Sequence, residues 1–405
     1  MIEVTIERLG HQGDGIATGP VFVAQTLPGE TVSGEVQDGC MVAPKIITPS
    51  ADRVRPPCSH AKSCGGCLLQ HASDDFVANW KLGVVETALA AQGLRAEMRP
   101  IVTSPPKSRR RATLSGRRTK KGALVGFHMR ASDTIIQIPN CELLHPSLLS
   151  AMSALAALTT IGASRKSEIS LLVAQSDSGI DVTVKGVGPA DGKQRVELAG
   201  IAEAYGLARL TWDDELIAQR FPPAQQFGPA SVVPPPGAFL QATLEGEKIL
   251  NSTVIETISG AKHVVDLFAG CGTFSLPAAA HSEVHAVESD ALMLAALDKG
   301  WRLAQGLKRV TTETRDLFRR PLMPDELKRF DAVVIDPPRA GAEAQVRELG
   351  KSNIPRIAMV SCNPVTFARD AKHLVDHGYQ LGVLQVVDQF RWSPHIELCA
   401  AFRKT

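Results

Sequence analysis

Short runs in which apolar and polar residues alternate mark the first part of the chain. The runs are Val4–Ile6, Val21–Val23 and Thr31–Val36, and the turn-forming segments Gly13–Gly15 and Pro28–Glu30 separate them. A period of two is typical of half-buried strands, and clusters of glycine and proline are typical of the turns that join them. The pattern predicts a small β-barrel over residues 1–56.

A mixed pattern follows the pair Pro56-Pro57. It predicts a helix over Ala72–Gln92, then a basic hairpin, and a further helix that begins near Pro146. The proline-rich stretch Val232–Gly237 is typical of a linker. We therefore expect a central α+β domain over residues 57–236.

Strand and helix signals alternate over residues 237–405. The candidate strands are His263–Leu267, Val284–Glu288, Val310–Thr314, Asp331–Asp336, Arg356–Ser361, Leu381–Val387 and Ile396–Phe402. Alternation of this kind predicts an α/β domain with a parallel, doubly wound sheet. Seven strands, the last two without a long helix between them, favour the mostly parallel sheet of a Rossmann-like class I methyltransferase over that of a dehydrogenase. Ligands of such sheets bind beyond the carboxyl ends of the strands.

The composition agrees with a globular chain of several domains. A length of 405 residues suits two or three domains, and 44% hydrophobic residues suffice for a core in each. We find neither an apolar run long enough to span a membrane nor the pattern of a secretory signal, so we expect no membrane partner and a cytoplasmic location.

Eight cysteines in a reducing compartment favour metal binding or catalysis over disulfides. Four of them form a candidate ligand set: Cys58, Cys64, Cys67 and Cys141. Four thiolates suit either a zinc ion or an iron–sulfur cluster, and their spacing does not distinguish the two. We expect Cys40, Cys271 and Cys399 to be small buried packing residues.

Positive charge is concentrated in the predicted hairpin. The whole chain carries a net charge of only +2, but eight basic residues and no acidic residue lie between Lys107 and Lys121. Such a cluster favours binding to the phosphate backbone of a nucleic acid. A solvated surface hairpin is the alternative.

A glycine-rich turn follows the first strand of the last segment. Asp266 lies near the end of that strand, Gly270 and Gly272 form a Gly-x-Gly turn, and Glu288 ends the next strand. Glycines let the backbone approach a ligand closely, and the acid can accept hydrogen bonds from ribose hydroxyls. Because the third glycine of the dinucleotide fingerprint is absent, the turn indicates an adenosine without a pyrophosphate, which points to S-adenosylmethionine.

Three further motifs lie at strand ends in the same segment. The prolines of Asp336–Arg339 form a rigid, flat loop that suits a planar base. Cys362 precedes Asn363-Pro364, where the start of a helix can lower the pKa of a thiol. Glu397 lies in an otherwise apolar strand, and His395 shares its face and can help to position it if this segment is extended.

A thiol, a carboxylate and a slot for a base suit methylation of a pyrimidine carbon. Uracil C5 is too weakly nucleophilic to accept a methyl group directly. Addition of the Cys362 thiolate to C6 makes C5 nucleophilic, and Glu397 can then remove the C5 proton so that the thiol leaves. We expect Asp336 to orient the base or the methionine part of the cofactor.

These ordered motifs resemble those of the RNA 5-methyluridine (uracil-C5) methyltransferases over essentially the whole chain. The matching segments are 266–273, 336–339, 361–364 and 395–397. The resemblance implies that Cys362 is the nucleophile and Glu397 the proton acceptor. It also implies a set of cofactor-binding residues: Gln241, Phe268, Thr273, Glu288 and Asp336.

The resemblance extends to the other two segments. Residues 1–56 are similar to a shortened TRAM domain, an oligonucleotide-binding barrel that binds RNA. The four-cysteine pattern is similar to that of the family's ribosomal branch, which carries a [4Fe–4S] cluster, and Arg109, Arg110 and Arg111 lie in the domain where the family uses basic residues on RNA. The implied function is formation of 5-methyluridine in RNA, with 23S ribosomal RNA favoured, by a monomeric enzyme.

Three alternatives stay open. A methyltransferase for uridine 54 of transfer RNA would carry the same reaction motifs. An RNA 5-methylcytidine methyltransferase also forms a cysteine adduct. A non-catalytic RNA-binding protein or cluster-based redox sensor could retain the scaffold, although intact Cys362, Glu397 and Gly-x-Gly turn argue against it.

Overall fold

The computed structural model describes residues 1–405, and its strands form sheets of six, seven, two and eight strands. The six-stranded sheet comprises β1 (Ile2–Leu9), β2 (Gly15–Ala17), β3 (Val21–Val23), β4 (Thr31–Gly34), β5 (Cys40–Met41) and β6 (Lys45–Thr48). Its order is β5-β3-β2-β1-β4-β6. The predicted strands are confirmed, and the closure of these strands into a barrel stays a prediction.

The segment that follows mixes helices and strands. Its elements are α1 (Asp74–Ala90), β7 (Val102–Thr103), β8 (Arg111–Arg118), β9 (Ala123–His128), β10 (Ile135–Gln137), α2 (Pro146–Ser150), α3 (Met152–Gly162), β11 (Glu168–Ser176), β12 (Gly179–Lys185), α4 (Gly192–Ala204), β13 (Arg209–Trp212), β14 (Glu215–Gln219), β15 (Gln225–Phe227) and β16 (Ala230–Val232). Helix α1 begins where predicted because the Ser73 hydroxyl accepts a hydrogen bond from the Phe76 N–H. Pro146 opens α2, since proline suits the first turn of a helix.

A mixed seven-stranded sheet carries the core of this segment. Its order is β10-β9-β8-β11-β12-β13-β14, and β8 and β9 form the predicted basic hairpin. Helix α3 packs on β8 and β9, and α4 packs on β13 and β14. A cluster of 27 buried residues lies between these layers.

The last segment alternates helices and strands as predicted. Its elements are α5 (Leu244–Thr257), β17 (His263–Leu267), α6 (Ser275–Ala279), β18 (Glu283–Glu288), α7 (Ala291–Leu303), β19 (Val310–Thr314), α8 (Pro324–Leu327), β20 (Ala332–Ile335), α9 (Glu343–Lys351), β21 (Arg356–Ser361), α10 (Pro364–Asp376), β22 (Tyr379–Asp388) and β23 (Glu397–Lys404). Strands β17 to β21 are parallel, and β23 lies antiparallel between β21 and β22. The predicted seven strands are confirmed.

The sheet has an eighth strand that the sequence pattern did not predict. Its order is β19-β18-β17-β20-β21-β23-β22-β7, so β7 from the middle of the chain extends its edge. Helix α1 also packs against α10, and Val85 and Leu89 belong to the same buried cluster as the strands of this sheet. No helix of the structure has both the length and the apolar character needed to cross a membrane.

Candidate active site

A cavity of about 440 Å³ lies at the carboxyl edge of the eight-stranded sheet. Its lining includes seven residues that the sequence singled out: Gln241, Phe268, Thr273, Glu288, Asp336, Cys362 and Glu397. The structure thus gathers residues from five strands and from the segment before α5. The volume lies in the range of small-molecule sites and suits a ligand of nucleoside size.

The Gly-x-Gly turn forms one side of this cavity. Gly270 and Gly272 have φ angles of +54° and +93°. A Cβ added at Gly272 would lie 2.9 Å from Leu297 Cγ, so only glycine fits there without a shift of its neighbours. Phe268 also has a positive φ, +64°, which is rare for an aromatic residue and typical of functional turns.

Glu288 fixes this turn to the end of β18. Its Oε2 accepts a hydrogen bond of 3.1 Å from the Gly270 N–H. Its Oε1 accepts bonds from the N–H groups of Ser289 and Asp290, at 2.6 and 3.0 Å. The carboxylate is therefore held rigidly at the cavity, where the sequence placed a ribose-binding acid.

An apolar side of the cavity was missed by the sequence analysis. Met293, Leu317 and Phe318 line it, and the rings of Phe268 and Phe318 lie 5.4 Å apart. These side chains suit a flat apolar group such as a purine. Their position in the sequence could have indicated them, because residues 316–318 come shortly after the parallel strand β19, and the other site segments likewise follow parallel strands.

The Asp336 loop is held by the start of α10. The carbonyl of Arg339 accepts hydrogen bonds from the Asn363 amide at 3.0 Å and from the Thr366 hydroxyl at 3.2 Å. Burial raises the pKa of Asp336 well above its ordinary value. Its Oδ2 lies 3.4 Å from Gln241 Nε2, which donates to it.

Cys362 lies in the short connection between β21 and α10. The side chain of Asn363 caps that helix by accepting a bond of 3.1 Å from the Val365 N–H. Besides the 440 Å³ cavity, Cys362 lines a groove of about 590 Å³. The thiol therefore stands in the wall between two spaces.

The expectation that the helix start lowers the pKa of this thiol is wrong. Burial raises the pKa of Cys362 to about 11, and the nearby Glu397 and Asp336 carboxyls add to the rise, while Arg339 lowers it. Desolvation and two acids outweigh the partial positive charge of the helix end. The thiol is protonated at neutral pH when no ligand is bound.

Glu397 is the first residue of β23 and is almost fully buried. Burial and the proximity of Asp336 raise its pKa, whereas hydrogen bonding by Gln389 and the charge of Arg111 lower it. Gln389 Nε2 donates a bond of 2.9 Å to Glu397 Oε2. The sequence analysis missed Gln389, because a lone glutamine in the connection between β22 and β23 carries no distinctive pattern.

His395 does not position Glu397 as expected. The strand begins only at Glu397, and the His395 ring lies in the groove, edge-on to Phe390 at 5.7 Å between centroids. No hydrogen bond joins His395 to Glu397, and the backbone N–H of His395 donates to the Ser393 hydroxyl. Burial lowers the pKa of His395, with Arg339, Lys81 and Arg109 adding to the effect, so the neutral form of the ring is favoured.

The groove on the other side of Cys362 is built from distant parts of the chain. The N-terminal sheet contributes His11 and Gln12, which lie between β1 and β2. Further lining residues come from the cysteine-bearing loop, the hairpin and the catalytic edge: Gly65, Gly66, Arg109, Phe127, Arg130, Arg339 and His395. An ion pair of 2.5 Å between Arg130 and Asp14 joins the connection between β9 and β10 to that between β1 and β2.

The four cysteines of the candidate ligand set lie near one another. Burial raises the pKa of Cys64, Cys67 and Cys141, and at least one other thiol of the set adds to each rise. Cys64 Sγ accepts a hydrogen bond of 3.4 Å from the Gly66 N–H. No group of three or more His, Cys, Asp or Glu side chains is arranged to hold a metal ion. The thiols lie close enough to influence one another's pKa, and a metal site at these residues stays a prediction.

Two other expectations about residue environments are wrong. Cys40 is exposed at the short edge strand β5, whereas Cys271 and Cys399 are buried as expected.

The three consecutive arginines do not form a surface patch. Arg110 is buried in an ion pair with Glu247, and Arg111 donates to the Leu240 carbonyl and lies over the Phe239 ring, 4.3 Å from its centroid. Burial also lowers the pKa of Arg109.

The outward charge of the hairpin lies near its turn. Arg118, Lys120 and Lys121 are exposed there, and Lys107 is exposed but paired with Glu142 at 3.1 Å. The arginines at the start of β8 turn inward because this end of the strand contacts the segment before α5. The surface available to a phosphate backbone is therefore smaller than the sequence indicated.

Comparison with known proteins agrees with this geometry. Residues 236–405 match the model of the tRNA (uracil-5-)-methyltransferase family. An RNA methyltransferase of Rhizobium meliloti is 43% identical over 412 residues, 99% of each chain. A 23S rRNA (uracil(1939)-C(5))-methyltransferase of Aeromonas salmonicida is 30% identical over 434 residues, covering 100% of this chain and 96% of the relative.

A solved structure covers the whole fold. The Pyrococcus abyssi tRNA (uracil-54, C5)-methyltransferase in complex with S-adenosyl-L-homocysteine superposes with a TM-score of 0.79 at 21% identity. The match covers 99% of each chain. At that identity the likeness concerns the fold, and it confirms the α/β methyltransferase fold expected from the strand pattern.

Proposed function

This chain belongs to the S-adenosylmethionine-dependent RNA (uracil-5-)-methyltransferase family, and we propose that it forms 5-methyluridine in 23S ribosomal RNA. The observation that carries the proposal is the position of Cys362 between a nucleoside-sized cavity and an open groove, with Glu397 and Asp336 on the cavity side. We assign the cavity to S-adenosylmethionine and the groove to RNA.

The ribosomal target is supported by the whole-length similarity to the Aeromonas enzyme. The similarity in fold to the transfer RNA enzyme of Pyrococcus keeps transfer RNA as the second candidate. The four-cysteine pattern favours the ribosomal branch. Residues 1–56, 57–236 and 237–405 would then serve as barrel, central and catalytic domains.

The proposed reaction begins when a target uridine leaves its stack and enters the groove beside Cys362. The Cys362 thiol loses its proton to solvent, its Sγ bonds to C6 of uracil, and electron density moves to C5. S-adenosylmethionine, when bound, supplies an electrophilic methyl group to C5. Glu397 then removes the C5 proton, the C6–S bond breaks, and the electron pair restores the C5–C6 double bond.

Deprotonation of Cys362 needs help, because its pKa of about 11 leaves little thiolate at neutral pH. Two carboxyls with raised pKa values, Glu397 and Asp336, lie near enough to affect the thiol. A positive charge in the cavity would lower the pKa of Cys362 and of both carboxyls. We therefore propose that Cys362 becomes nucleophilic only in the loaded enzyme.

Five residues are proposed to hold the cofactor. Glu288 accepts hydrogen bonds from the ribose hydroxyls, and Gln241 and Asp336 contact the methionine part. Phe268 and Thr273, on the glycine turn, complete the wall. Phe318, which the sequence analysis missed, packs against Phe268 and would cover a purine.

The N-terminal sheet is proposed to act as a TRAM module. His11 and Gln12 project into the same groove as Cys362, which supports contact between this sheet and RNA near the target base. Its small buried core, which includes Ile6, Val23 and Val32, suits a rigid platform. The exposed turn of the hairpin supplies further positive charge.

We propose a [4Fe–4S] cluster, with zinc as the alternative, at Cys58, Cys64, Cys67 and Cys141. Burial, and to a lesser degree neighbouring thiols, raises three of the thiol pKa values, and this supports the proposal because bound cationic iron would offset the cost of burying thiolates. The methyl transfer needs no electron, so the cluster would hold the loops around it. Anaerobically purified protein should show broad visible absorbance that bleaches on reduction; a colourless zinc protein would favour the alternative.

Labelled-methyl transfer tests the function. RNA from cells that lack the protein is incubated with enzyme and labelled S-adenosylmethionine, and the ribosomal and transfer RNA fractions are digested to nucleosides. We expect 5-methyluridine in 23S RNA. Label in transfer RNA would support the second candidate, label in cytidine would indicate the 5-methylcytidine class, and absence of label would support a non-catalytic protein.

The role of Cys362 is tested in the same assay. Cys362→Ala should abolish turnover and keep the affinity for RNA and for S-adenosylhomocysteine. Cys399→Ala is a matched control, because Cys399 is a buried thiol nearby on β23. Retained turnover in Cys362→Ala would remove the nucleophile assignment.

A further inference from the structure

A single buried glutamine links the two walls of the candidate site. We propose that Gln389 is the positioning residue that sets which oxygen of Glu397 acts as the base and that orients Gln241 toward Asp336. This proposal rests on the proposed function, since it assigns Glu397 the role of proton acceptor. It follows from three hydrogen bonds of one amide group.

Gln389 follows β22 and is almost completely buried. Its Nε2 donates to Gln241 Oε1 at 2.7 Å and to Glu397 Oε2 at 2.9 Å. Its Oε1 accepts from the Ala242 N–H at 2.8 Å. Both N–H groups and the carbonyl are therefore in use; two of the bonds lead to residues of the site, and the third leads to the backbone next to Gln241.

Only one orientation of the amide satisfies these partners. A reversed amide would set its oxygen against the oxygens of Gln241 and Glu397, and its N–H groups against the Ala242 N–H. The Ala242 donor is part of the backbone and cannot turn round. The backbone thus fixes the orientation of Gln389, and a buried mismatch would leave polar groups without partners.

The fixed amide determines how Glu397 is presented. Because Oε2 is held by Gln389, it is occupied by a donor. The other oxygen, Oε1, accepts no hydrogen bond from the protein, and Glu397 lines the cavity. Oε1 is therefore the oxygen that is free to take the C5 proton.

The same amide determines how Gln241 is presented. Its Oε1 faces Gln389, so its Nε2 is directed to the other side, where it donates to Asp336 Oδ2 at 3.4 Å. A chain of hydrogen bonds consequently runs from Asp336 through Gln241 and Gln389 to Glu397. Gln389 thus orients both Glu397 and Gln241, although it does not itself contact the reacting atoms.

The chain offers a matched control in Gln385. This glutamine lies on β22, is buried to a similar degree, and donates its amide to the carbonyls of Pro100 and Val386. It bonds no residue of the site. Gln385→Met should disturb packing as much as Gln389→Met, and should leave the chemistry unchanged.

The first measurement is the pH dependence of adduct breakdown in wild type, Gln389→Met, Gln389→Glu and Gln385→Met. Loss of the donor raises the pKa of Glu397, so the acidic limb of the rate profile should move to higher pH in both Gln389 variants. At neutral pH, elimination should slow by about 10- to 100-fold, the usual range for loss of a buried hydrogen bond to a charged group. Gln389→Glu keeps the shape of the side chain, so it tests the role of the Gln389 donor even if Gln389→Met fails to fold.

The second measurement is calorimetric binding of S-adenosylhomocysteine, which needs no turnover. Gln389→Met should weaken binding several-fold by releasing Gln241, whereas Gln385→Met should not. An unchanged pH profile, or equal changes in the Gln389 and Gln385 variants, would overturn the positioning role. Absence of 5-methyluridine with the wild-type enzyme would instead overturn the proposed function, and the calorimetric result would then test the Gln389–Gln241 link alone.

Discussion

The ionisation of Cys362 can be measured by alkylation, and the structure predicts its rate. With a pKa of about 11, about one thiol in a thousand is ionised at pH 8. An ordinary cysteine, with a pKa of ~8.5, is about one quarter ionised at that pH. Because the thiolate is the reacting species, Cys362 of the ligand-free enzyme should react with iodoacetamide at pH 8 roughly 200-fold more slowly than an ordinary cysteine does.

A positive charge in the cavity should reverse much of this effect. An opposite charge within a few ångströms lowers a pKa by about 1–3 units, so the alkylation rate at pH 8 should rise about tenfold or more. An analogue of S-adenosylmethionine with an amine in place of the sulfonium supplies that charge. S-adenosylhomocysteine, which is neutral at sulfur, is the matched control, and the groove leaves Cys362 open to reagent from the other side.

The assay is peptide mass spectrometry of alkylated Cys362 over a range of pH. Cys40 is exposed in the same chain and serves as an internal reference. A slow rate caused by poor access would keep an ordinary midpoint, whereas a raised pKa moves the midpoint upward. An ordinary midpoint for Cys362 in the ligand-free enzyme would refute the reasoning from burial and the neighbouring carboxyls.

Three other predictions concern the base, the packing and the RNA surface. Glu397→Gln should stall after methyl transfer and leave a covalent protein–RNA adduct on a denaturing gel; a clean gel would count against the base assignment. Lys81→Met should lower stability by about 3–5 kcal/mol, since the Asp388 carboxylate stays buried without its cation, and adding Asp388→Asn should recover part of the thermal midpoint. Replacing Arg118, Lys120 and Lys121 by Gln should reduce the slope of log affinity against log salt for single-stranded RNA by about 2, whereas Arg110→Gln should leave that slope unchanged and lower the thermal midpoint.

The sequence sufficed for seven of the eight strands of the sheet and for most of the site residues at its edge. Buried parallel strands appear as continuous apolar runs, as in β20 and β21, so their ends could be located. The carboxyl ends of parallel strands meet at one edge, and this is why Glu288, Asp336 and Cys362 come together. Their gathering follows from topology and needs no knowledge of side-chain packing.

The features that were missed depend on pairing between distant segments. Gln389 has meaning only because Gln241 and Ala242 lie against it, and no hydropathy pattern specifies that contact. The Arg110 side chain points inward because it forms a buried ion pair with Glu247 of α5. The number of basic residues in this part of the sequence therefore overstated the positive charge at the surface. The pKa of Cys362 likewise depends on carboxyls brought in from other strands.

The loop that precedes Glu397 is held by the cysteine-bearing part of the chain. The N–H groups of Leu68 and Leu69, directly after Cys67, donate to the Trp392 carbonyl at 2.8 and 3.0 Å. Trp392 has a φ of +60°, a conformation that costs about 1–3 kcal/mol for a non-glycine residue and persists only where neighbours enforce it. The two donors supply that restraint.

Lys81 holds the same loop from inside the protein. Its fully buried ammonium donates to Asp388 Oδ1 at 2.6 Å and to the carbonyl of His395 at 2.9 Å. A segment of residues 237–405 alone would lose this cation and with it the hydrogen bond that holds the His395 carbonyl. The loop would then relax, and Glu397 with it. The position of Glu397 therefore depends on Lys81 of α1, which lies far from it in the sequence. Lys81 cannot be removed without cost, because the Asp388 carboxylate that it neutralises is buried.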